Sequence, residues 1–481
     1  MLAFATGCPD GDSDAPDAAA RPDGASVDAA APDARPDATS ADAGPLTLEQ
    51  QLDAIDGLTW TEIDPHPGSM RTFDLHYDQP VDHDHPEGQH FSQHAYLWHV
   101  DAAKPMVLAT TGYSLYRGPS DLTEPTLLLD ANQLFVEERF FDSSRPVPTD
   151  WTKLDIRQAA ADHHRFVQAF KSIYPGAWIA TGASKGGMTS VYHMRFHPED
   201  LAGVVAYVAP ISFGAPDERY LPFFETVGDA ACRQRIRTFQ REVLLRRAAM
   251  IERVPAAAAA AGSTFTIATI DQAVEAAAVG YEFGFWQYKG SSASCAAIPG
   301  ASATDDEIFH AIEPDIMSCD DASIEFFSAY YVQAYTQLGY PASPMAHLQD
   351  LITGPELTGL PEGNGCCAPY DPAPMQDIAD WVATSGNHML FVYGQNDPWS
   401  AGKFDLGEAA DSFELVAPGA NHGAQIFLLD SADEQVALDA IGRWTGTSSS
   451  SMMQAARALK ARHGAEEEPL VREPRIVGLG R

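Results

Sequence analysis

The sequence predicts an α/β fold in which a mostly parallel sheet is flanked by helices and interrupted by an inserted, mainly helical cap. Two observations lead to this prediction. Short, nearly continuous apolar runs alternate with segments of helical spacing, and the alternation stops near residue 212 and resumes near residue 388. Apolar residues at consecutive positions are typical of strands buried on both faces, as in parallel sheets. The stretch between has mostly helical propensity, which indicates the cap.

The strand candidates are rich in β-branched and aromatic residues. In chain order they are AYLWHV (95–100), PMVLATT (105–111), QLFVEERFF (133–141), AWIATGA (177–183), GVVAYVAP (203–210), HMLFVYG (388–394) and SFELVA (412–417). Apolar residues at helical spacing predict helices over 151–174, 185–196 and 431–444.

Six segments follow from these patterns. They are a remnant of a lipoprotein-like signal (1–8), a disordered Ala/Asp/Pro-rich linker (9–44), the first part of the sheet domain (45–212), the helical cap (213–387), the second part of the sheet domain (388–447), and a C-terminal helix and tail (448–481). The linker carries too little apolar bulk to offset the entropy of ordering it.

Composition excludes several classes of partner. The chain has 481 residues, 45% of them apolar, and a formal net charge of −37. A sizeable core is therefore expected, while the acidic balance would repel nucleic acid and anionic membrane surfaces. No apolar run approaches the roughly 20 residues that span a bilayer. We expect neutral or cationic partners, no nucleic acid and no membrane-spanning segment.

The first residues are similar to the end of a bacterial lipoprotein signal, because Ala5-Thr6-Gly7 precedes Cys8. A charged segment and a full-length apolar segment are missing from this match. Two interpretations stay open: a lipid anchor at Cys8 on an exported protein, and an accidental match.

The other cysteines all fall in the predicted cap. They are Cys232, Cys295, Cys319, Cys366 and Cys367. This odd number permits at most two disulfides, and the sequence does not reveal their pairing. No CxxC or Cys/His cluster accompanies the adjacent Cys366 and Cys367, so we expect disulfides rather than a metal site.

A Gly-x-Ser-x-Gly motif centred on Ser184 closes one predicted strand and opens a predicted helix. This is the setting of a nucleophile elbow, in which glycines at 182 and 186 permit a sharp turn and the helix N-terminus faces an oxyanion. The alternative is a glycine-rich turn with a solvated serine. Ser114 in ATTGYS is a rival nucleophile, but no helix opens directly after it.

An acid and a base follow Ser184 in the order that this fold uses. Asp397 lies directly after strand HMLFVYG, and His422 lies after strand SFELVA. Because the carboxyl ends of parallel strands share one edge of the sheet, a Ser184/Asp397/His422 triad is predicted on an α/β-hydrolase fold. Taken singly, each loop residue could be an ordinary turn former or a solvated side chain.

The oxyanion hole would use two backbone N–H groups, those of Lys185 and Tyr113. Tyr113 belongs to the loop after an early strand, where Gly112 allows close approach. The side chain of Lys185 is expected to face outward.

Several blocks together resemble the bacterial secreted tripeptidyl aminopeptidases, a serine peptidase family allied to the prolyl carboxypeptidases and dipeptidyl peptidase II. In order, the blocks are YDQPVDHDHP (77–86), VEERFFDSSRP (136–146), TGASKGGMTSVYHMRFHPEDLAGVVAYVAP (181–210), NDPW (396–399) and PGANHGA (418–424). The chain departs from the family pattern at Ala183, where glycine is expected, and at Asp142, where the prolyl carboxypeptidase branch carries glycine.

The resemblance implies a serine peptidase that cuts peptides near a free N-terminus, often after proline, beneath a cap that admits short or unfolded chains. Such a peptidase needs no cofactor. Glu137 is then a candidate anchor for the substrate's α-ammonium, and the alternative is a buried pair with Arg139. An esterase or lipase on the same machinery and a non-catalytic peptide-binding protein are the alternative functions.

Five histidines crowd the segment VDHDHPEGQHFSQHAYLWHV. They are His83, His85, His90, His94 and His99. They lack a tight ligand spacing on one element, so structural roles and no metal site are expected.

Overall fold

A nine-stranded sheet runs through the part of the chain that the computed structural model describes, which is residues 46–63, 70–115, 122–361, 363 and 365–463. The strands are β1 Leu58–Ile63, β2 Arg71–Pro80, β3 His90–His99, β4 Met106–Thr110, β5 Asn132–Val136, β6 Trp178–Ala183, β7 Gly203–Tyr207, β8 Met389–Gly394 and β9 Phe413–Ala417.

Helices cover both faces of this sheet and form the insertion. They are α1 Leu48–Asp53, α2 Glu124–Leu129, α3 Ile156–Phe170, α4 Lys185–Phe196, α5 Leu221–Thr226, α6 Ala230–Leu245, α7 Arg247–Ala261, α8 Ile270–Tyr288, α9 Ser292–Ala296, α10 Asp305–Met317, α11 Asp321–Gln333, α12 Ala373–Ser385, α13 Ser431–Thr445 and α14 Ser449–His463.

The strand order is β1-β2-β3-β5-β4-β6-β7-β8-β9. From β5 to β9 all neighbours are parallel, whereas β1, β2, β3 and β5 pair antiparallel. Every residue of β4, β5, β7 and β8 is buried, as expected for strands covered on both faces. The prediction of an α/β-hydrolase fold with a mostly parallel sheet is confirmed.

The antiparallel edge has a different sequence pattern from the parallel strands. In β2 the buried Phe73, Leu75 and Tyr77 alternate with Asp74 and His76, which are only partly buried. This period of two is typical of a strand with one solvated face. Continuous apolar runs therefore do not predict strands β1 and β2.

The insertion has an apolar core of its own. Its buried side chains come mainly from α6, α7, α8 and α10, and the disulfide Cys232–Cys295 ties α6 to α9. Residues of α11 and α12, including Phe327 and Ile378, pack instead into the core of the sheet domain. The later part of the predicted cap segment therefore shares its packing with the sheet.

Several sequence predictions fall on other parts of the chain. The signal remnant 1–8 with Cys8, the linker 9–44 and the tail beyond residue 463 lie outside the described residues.

Of the cysteines in the insertion, Cys319, Cys366 and Cys367 are thiols. Among the described helices, none combines the length and apolar character needed to cross a membrane.

Candidate active site

Ser184 occupies the sharp turn between β6 and α4. Its φ of +55° and ψ of −126° lie in a region that L-residues rarely adopt. The Ser184 N–H donates to the carbonyl of Tyr207 at 2.9 Å, which ties the turn to the neighbouring strand β7. A strained serine held between a strand and a helix is the conformation of a nucleophile elbow.

The glycines on either side of Ser184 are required by close backbone approach. A Cβ on Gly186 would lie 2.3 Å from the carbonyl oxygen of Thr110, and a Cβ on Gly182 would lie 2.4 Å from the carbonyl carbon of Gly186. Both obstacles are backbone atoms and cannot rotate away. The motif therefore packs the start of α4 directly onto the end of β4.

Asp397 and His422 meet at the ends of neighbouring strands. Asp397 follows β8, His422 follows β9, and Asp397 Oδ2 lies 2.7 Å from His422 Nδ1. A carboxylate can only accept, so Nδ1 carries the proton and donates it, and the ring is oriented with Nε2 as its basic atom. Asp397 also accepts from the N–H of Trp399 at 3.2 Å, which fixes the carboxylate.

All three predicted triad residues are buried. The exposed fractions of Ser184, Asp397 and His422 are 3%, 0% and 2%. Ser184, Asp397 and His422 follow the parallel strands β6, β8 and β9, so they lie at the same edge of the sheet. In such a site, hydrogen bonds to developing charge act in a low dielectric and are correspondingly strong.

The insertion reaches this edge through the C-terminal end of α8. The backbone N–H of His422 donates to the carbonyl of Gln287 at 3.1 Å, and the ring of Tyr288 lies edge-on to the His422 imidazole with centroids 6.3 Å apart. The ring of Trp399 lies 6.2 Å from the same imidazole. No local sequence pattern indicates the contacts of Gln287 and Tyr288 with His422, because the segments that meet there are distant in the chain.

The two backbone N–H groups predicted to bind the oxyanion differ in their hydrogen bonding. Lys185 is the first residue of α4, where the N–H has no acceptor within the helix and the helix dipole favours an anion. The N–H of Tyr113 donates instead to Thr111 Oγ1 at 3.0 Å. The Tyr113 N–H can therefore donate to an oxyanion only after its hydrogen bond to Thr111 Oγ1 breaks.

The expectation that the Lys185 side chain faces outward is wrong. Only 2% of this residue is exposed, and its Nζ lies 3.2 Å from Glu138 Oε1, with the rings of Tyr113 and Phe141 5.9 and 5.3 Å away. Burial lowers the pKa of Lys185, and the carboxylate of Glu138 opposes that change. This buried pair therefore lies next to Ser184, the predicted nucleophile.

Glu137 is buried and its carboxylate is bound by neutral donors. Oε2 accepts from Ser143 Oγ, Ser144 N and Ser144 Oγ at 2.9, 3.0 and 2.6 Å, and Oε1 accepts from Leu115 N at 2.9 Å. The alternative of a pair with Arg139 is wrong, because the Arg139 guanidinium binds both carboxylate oxygens of Asp162, at 2.6 and 2.9 Å.

The rival nucleophile Ser114 lies in the loop after β4. The first helix that the structure describes beyond it is α2, which begins at Glu124. An elbow at Ser114 would need a helix directly after the serine, so the described geometry favours Ser184.

Four of the five histidines singled out in the sequence bind neighbouring groups. His83 Nε2 lies 2.7 Å from Asp162 Oδ1, His90 Nδ1 lies 2.8 Å from Asp78 Oδ2, and His99 Nδ1 lies 3.0 Å from the hydroxyl of Tyr174. His94 Nε2 lies 2.9 Å from Asp74 Oδ1, and His76 lies beside the same carboxylate.

Comparison with known proteins places the chain among peptidases. The sequence model of the family described as PS-10 peptidase S37 matches residues 41–472. A prolyl tri/tetrapeptidyl aminopeptidase from Streptomyces mobaraensis is 39% identical over 423 residues, which are 86% of this chain and 88% of that protein.

Two solved structures have lower similarity. A proline iminopeptidase from Mycobacterium smegmatis is 14% identical and aligns with 80% of this chain and 99% of its own, with a TM-score of 0.35. A carboxyl esterase from the fungus Tuber melanosporum is 13% identical and aligns with 83% of this chain and 88% of its own, with a TM-score of 0.33.

Proposed function

Because the chain belongs to the PS-10 peptidase S37 family and is thus a serine peptidase, we propose that it releases short peptides from free N-termini and prefers to cut after proline. The number of residues released is three by preference, since the relative from Streptomyces mobaraensis is a tri/tetrapeptidyl aminopeptidase. The observation that carries the assignment of roles is the buried 2.7 Å bond between Asp397 and His422 at the same sheet edge as the elbow.

In the proposed mechanism Ser184 Oγ attacks the scissile carbonyl carbon while His422 Nε2 takes the hydroxyl proton. The carbonyl oxygen becomes an anion near the N–H of Lys185 at the start of α4. Collapse of this intermediate breaks the peptide bond, and His422 returns its proton to the leaving amine. Water then hydrolyses the acyl-enzyme by the same route, and Asp397 holds the Nδ1 proton throughout.

Aromatic side chains near His422 support the preference for proline. The rings of Phe283 and Trp399 are 5.2 Å apart, and Trp399 and Tyr288 both lie beside the imidazole. A pyrrolidine ring is apolar and compact, so flat aromatic walls would bind it well.

Glu137 stays a candidate anchor for the substrate's α-ammonium. Its carboxylate is buried and, among the described residues, its hydrogen-bond donors are Leu115, Ser143 and Ser144, all neutral. An incoming ammonium would supply the charge that these donors lack. In Glu137→Gln, KM should rise for a peptide with a free N-terminus, while turnover of its N-acetylated form should stay as low as before.

The deciding experiment compares Ser184→Ala with Ser114→Ala on a tripeptide-proline anilide, its N-acetylated form and a short-chain ester. We expect anilide hydrolysis to be lost in Ser184→Ala and kept in Ser114→Ala, with the free N-terminus required. Turnover of the ester alone would identify an esterase. Tight peptide binding without turnover by the wild type would identify a binding protein.

Export from the cytoplasm is part of the proposal. The disulfide Cys232–Cys295 supports it, because such bonds persist in oxidising compartments. A lipid anchor at Cys8 is the further step, and it predicts that a radiolabelled fatty acid is incorporated by the wild type and not by Cys8→Ser.

A further inference from the structure

An Asp-His-His cluster lies on the outer face of the hairpin formed by β2 and β3. His76 and His94 are direct partners in the antiparallel register, and Asp74 precedes His76 by two residues on the same face. Cβ atoms of direct partners such as His76 and His94 are about 5 Å apart, those of diagonal neighbours such as Asp74 and His94 are about 7 to 8 Å apart, and all three side chains point to the same face. Two strands therefore present three metal-binding side chains to one point.

The distances between these side chains are close to those of a coordination shell. Asp74 Oδ1 lies 2.9 Å from His94 Nε2 and 3.6 Å from His76 Nε2. The two imidazoles are stacked, with centroids 4.8 Å apart and planes inclined by 6°. Ligand atoms around a tetrahedral zinc ion, at bonds of 2.0–2.1 Å, are about 3.3 Å apart. Small side-chain movements would bring the three atoms around one ion.

We propose that Asp74, His76 and His94 bind a zinc ion, with water as the fourth ligand. Two imidazoles and a carboxylate are a common protein donor set for zinc when one position stays open. The side chains of His76, Asp74 and His94 are 44%, 32% and 16% exposed, so an ion and its water can enter from solvent. Before binding, His94 Nε2 carries the proton that it donates to Asp74 Oδ1, so this proton must pass to solvent and Nδ1 must take one up. Nε2 of each histidine then supplies a lone pair to the metal and Nδ1 carries the ring proton.

The ring of Tyr96 supports His94 from the side. It lies edge-on to the imidazole with centroids 5.0 Å apart. Groups around the ligands orient them and thereby raise the affinity of a site. The rigid backbone of a paired hairpin adds to this, because a ligand set held before binding loses less conformational entropy.

This site is separate from the predicted catalytic centre. Strands β5 and β4 lie between β3 and the elbow strand β6. Three strand spacings correspond to roughly 14 Å. The zinc would therefore join β2 to β3 and stabilise the folded chain by mass action, with no part in peptide hydrolysis.

A second group of potential ligands provides the control. His164, His197 and Glu199 could also approach one another, but His164 Nδ1 is already 2.8 Å from Asp200 Oδ2, and His197 Nδ1 is 4.0 Å from Glu199 Oε1. This set is less well arranged for an ion. His164→Asn should leave zinc binding unchanged.

The test is calorimetric titration of the full chain with zinc chloride, in a Cys367→Ser background that removes the exposed thiol. We expect one zinc per chain, with affinity reduced at least about tenfold in His76→Asn and in His94→Gln, since even outer groups change affinity by that factor. Circular dichroism and peptidase turnover verify that each variant is folded.

Cobalt substitution gives a second readout. Four-coordinate cobalt bound to nitrogen and oxygen should give visible d–d bands in the wild type that disappear in His76→Asn. Thiolate charge-transfer bands would place the metal on cysteine instead. That result would overturn the proposal. So would an absence of zinc binding, an unchanged zinc affinity in both His76→Asn and His94→Gln, or a loss of zinc affinity in His164→Asn.

Discussion

Lys185 Nζ and Glu138 Oε1 lie 3.2 Å apart, and both side chains are 98% removed from solvent, with 2% exposed. Lys185 starts the helix that follows Ser184, the predicted nucleophile, whereas Glu138 follows β5 and donates its N–H to the carbonyl of Tyr113 at 2.9 Å. This pair therefore joins the two backbone segments from which the predicted oxyanion donors come.

Removing one member of this pair should destabilise the protein. Glu138→Gln or Lys185→Met leaves a buried charge unpaired, which costs about 3 to 5 kcal/mol of unfolding free energy. Changing both residues at once, in Lys185→Met/Glu138→Leu, should cost less than the sum of the single changes. Urea unfolding monitored by tryptophan fluorescence gives all the values. Additive losses would show that the two side chains do not interact.

Asp397→Asn should lower kcat by about 10⁴-fold with little change in KM. An asparagine amide would donate to His422 Nδ1 and move the ring proton to Nε2, so the imidazole could no longer accept the serine proton. Steady-state kinetics on a peptide anilide measures both constants. Asp405→Asn, at an exposed loop position, is the matched control. A loss of less than about tenfold would contradict the role of Asp397.

Two glycine-to-alanine changes should have opposite effects on stability. Gly186→Ala places a methyl group 2.3 Å from the carbonyl oxygen of Thr110 and should cost about 3 kcal/mol. Gly284 lies inside α8 with no atom within 4 Å of its added Cβ, so Gly284→Ala should gain about 0.5 to 1 kcal/mol. Thermal unfolding of the two variants tests both signs. Equal melting temperatures would refute the packing argument.

Acid should destabilise the protein through His163. Burial, and next the neighbouring His193, lower the pKa of His163 from 6.5 to about 3. Below pH 6.5 the unfolded chain takes up a proton that the folded chain refuses, so the free energy of unfolding falls as the pH drops toward 3. His163→Phe should flatten this slope, and His310→Phe, at a side chain 78% exposed, should not. Identical slopes in all three proteins would exclude this contribution.

The disulfide in the insertion should contribute measurably to stability. Cys232 and Cys295 are 63 residues apart, and a loop of that length predicts about 4 kcal/mol from chain entropy. Cys232→Ser/Cys295→Ser should unfold at correspondingly lower urea concentration. The exposed Cys367→Ser should stay within about 0.5 kcal/mol of the wild type. No difference between the two variants would mean that the bond does not constrain the unfolded chain.

Local patterns predicted the elements that hold the site. The helix predicted over 185–196 has the same bounds in the structure, and the runs before Asp397 and His422 are strands β8 and β9. The run before Asp397 is recognisable because β8 is buried at every residue and is apolar throughout, whereas the helix is recognisable from apolar residues at helical spacing. The hairpin of β2 and β3 faces solvent on one side, so polar residues alternate with apolar ones along β2. Because β2 has no continuous apolar run, the sequence does not predict this strand or the position of His76 on it.

Contacts between distant segments could not be predicted in this way. From the sequence we predict an outward-facing Lys185 side chain, because nothing near Lys185 in sequence shows that Glu138 Oε1 lies 3.2 Å from its Nζ. Phe327 and Ile378 belong to helices in the insertion yet pack into the core of the sheet domain. Helical propensity predicts that such helices form, but it does not indicate which hydrophobic core they pack into.

The hydrogen bond from the His422 N–H to the Gln287 carbonyl ties the insertion to the loop that carries the predicted base. A change at the end of α8 that breaks this bond would therefore free the loop that carries the predicted base. The insertion thus acts on the position of His422 through the backbone as well as through the ring of Tyr288.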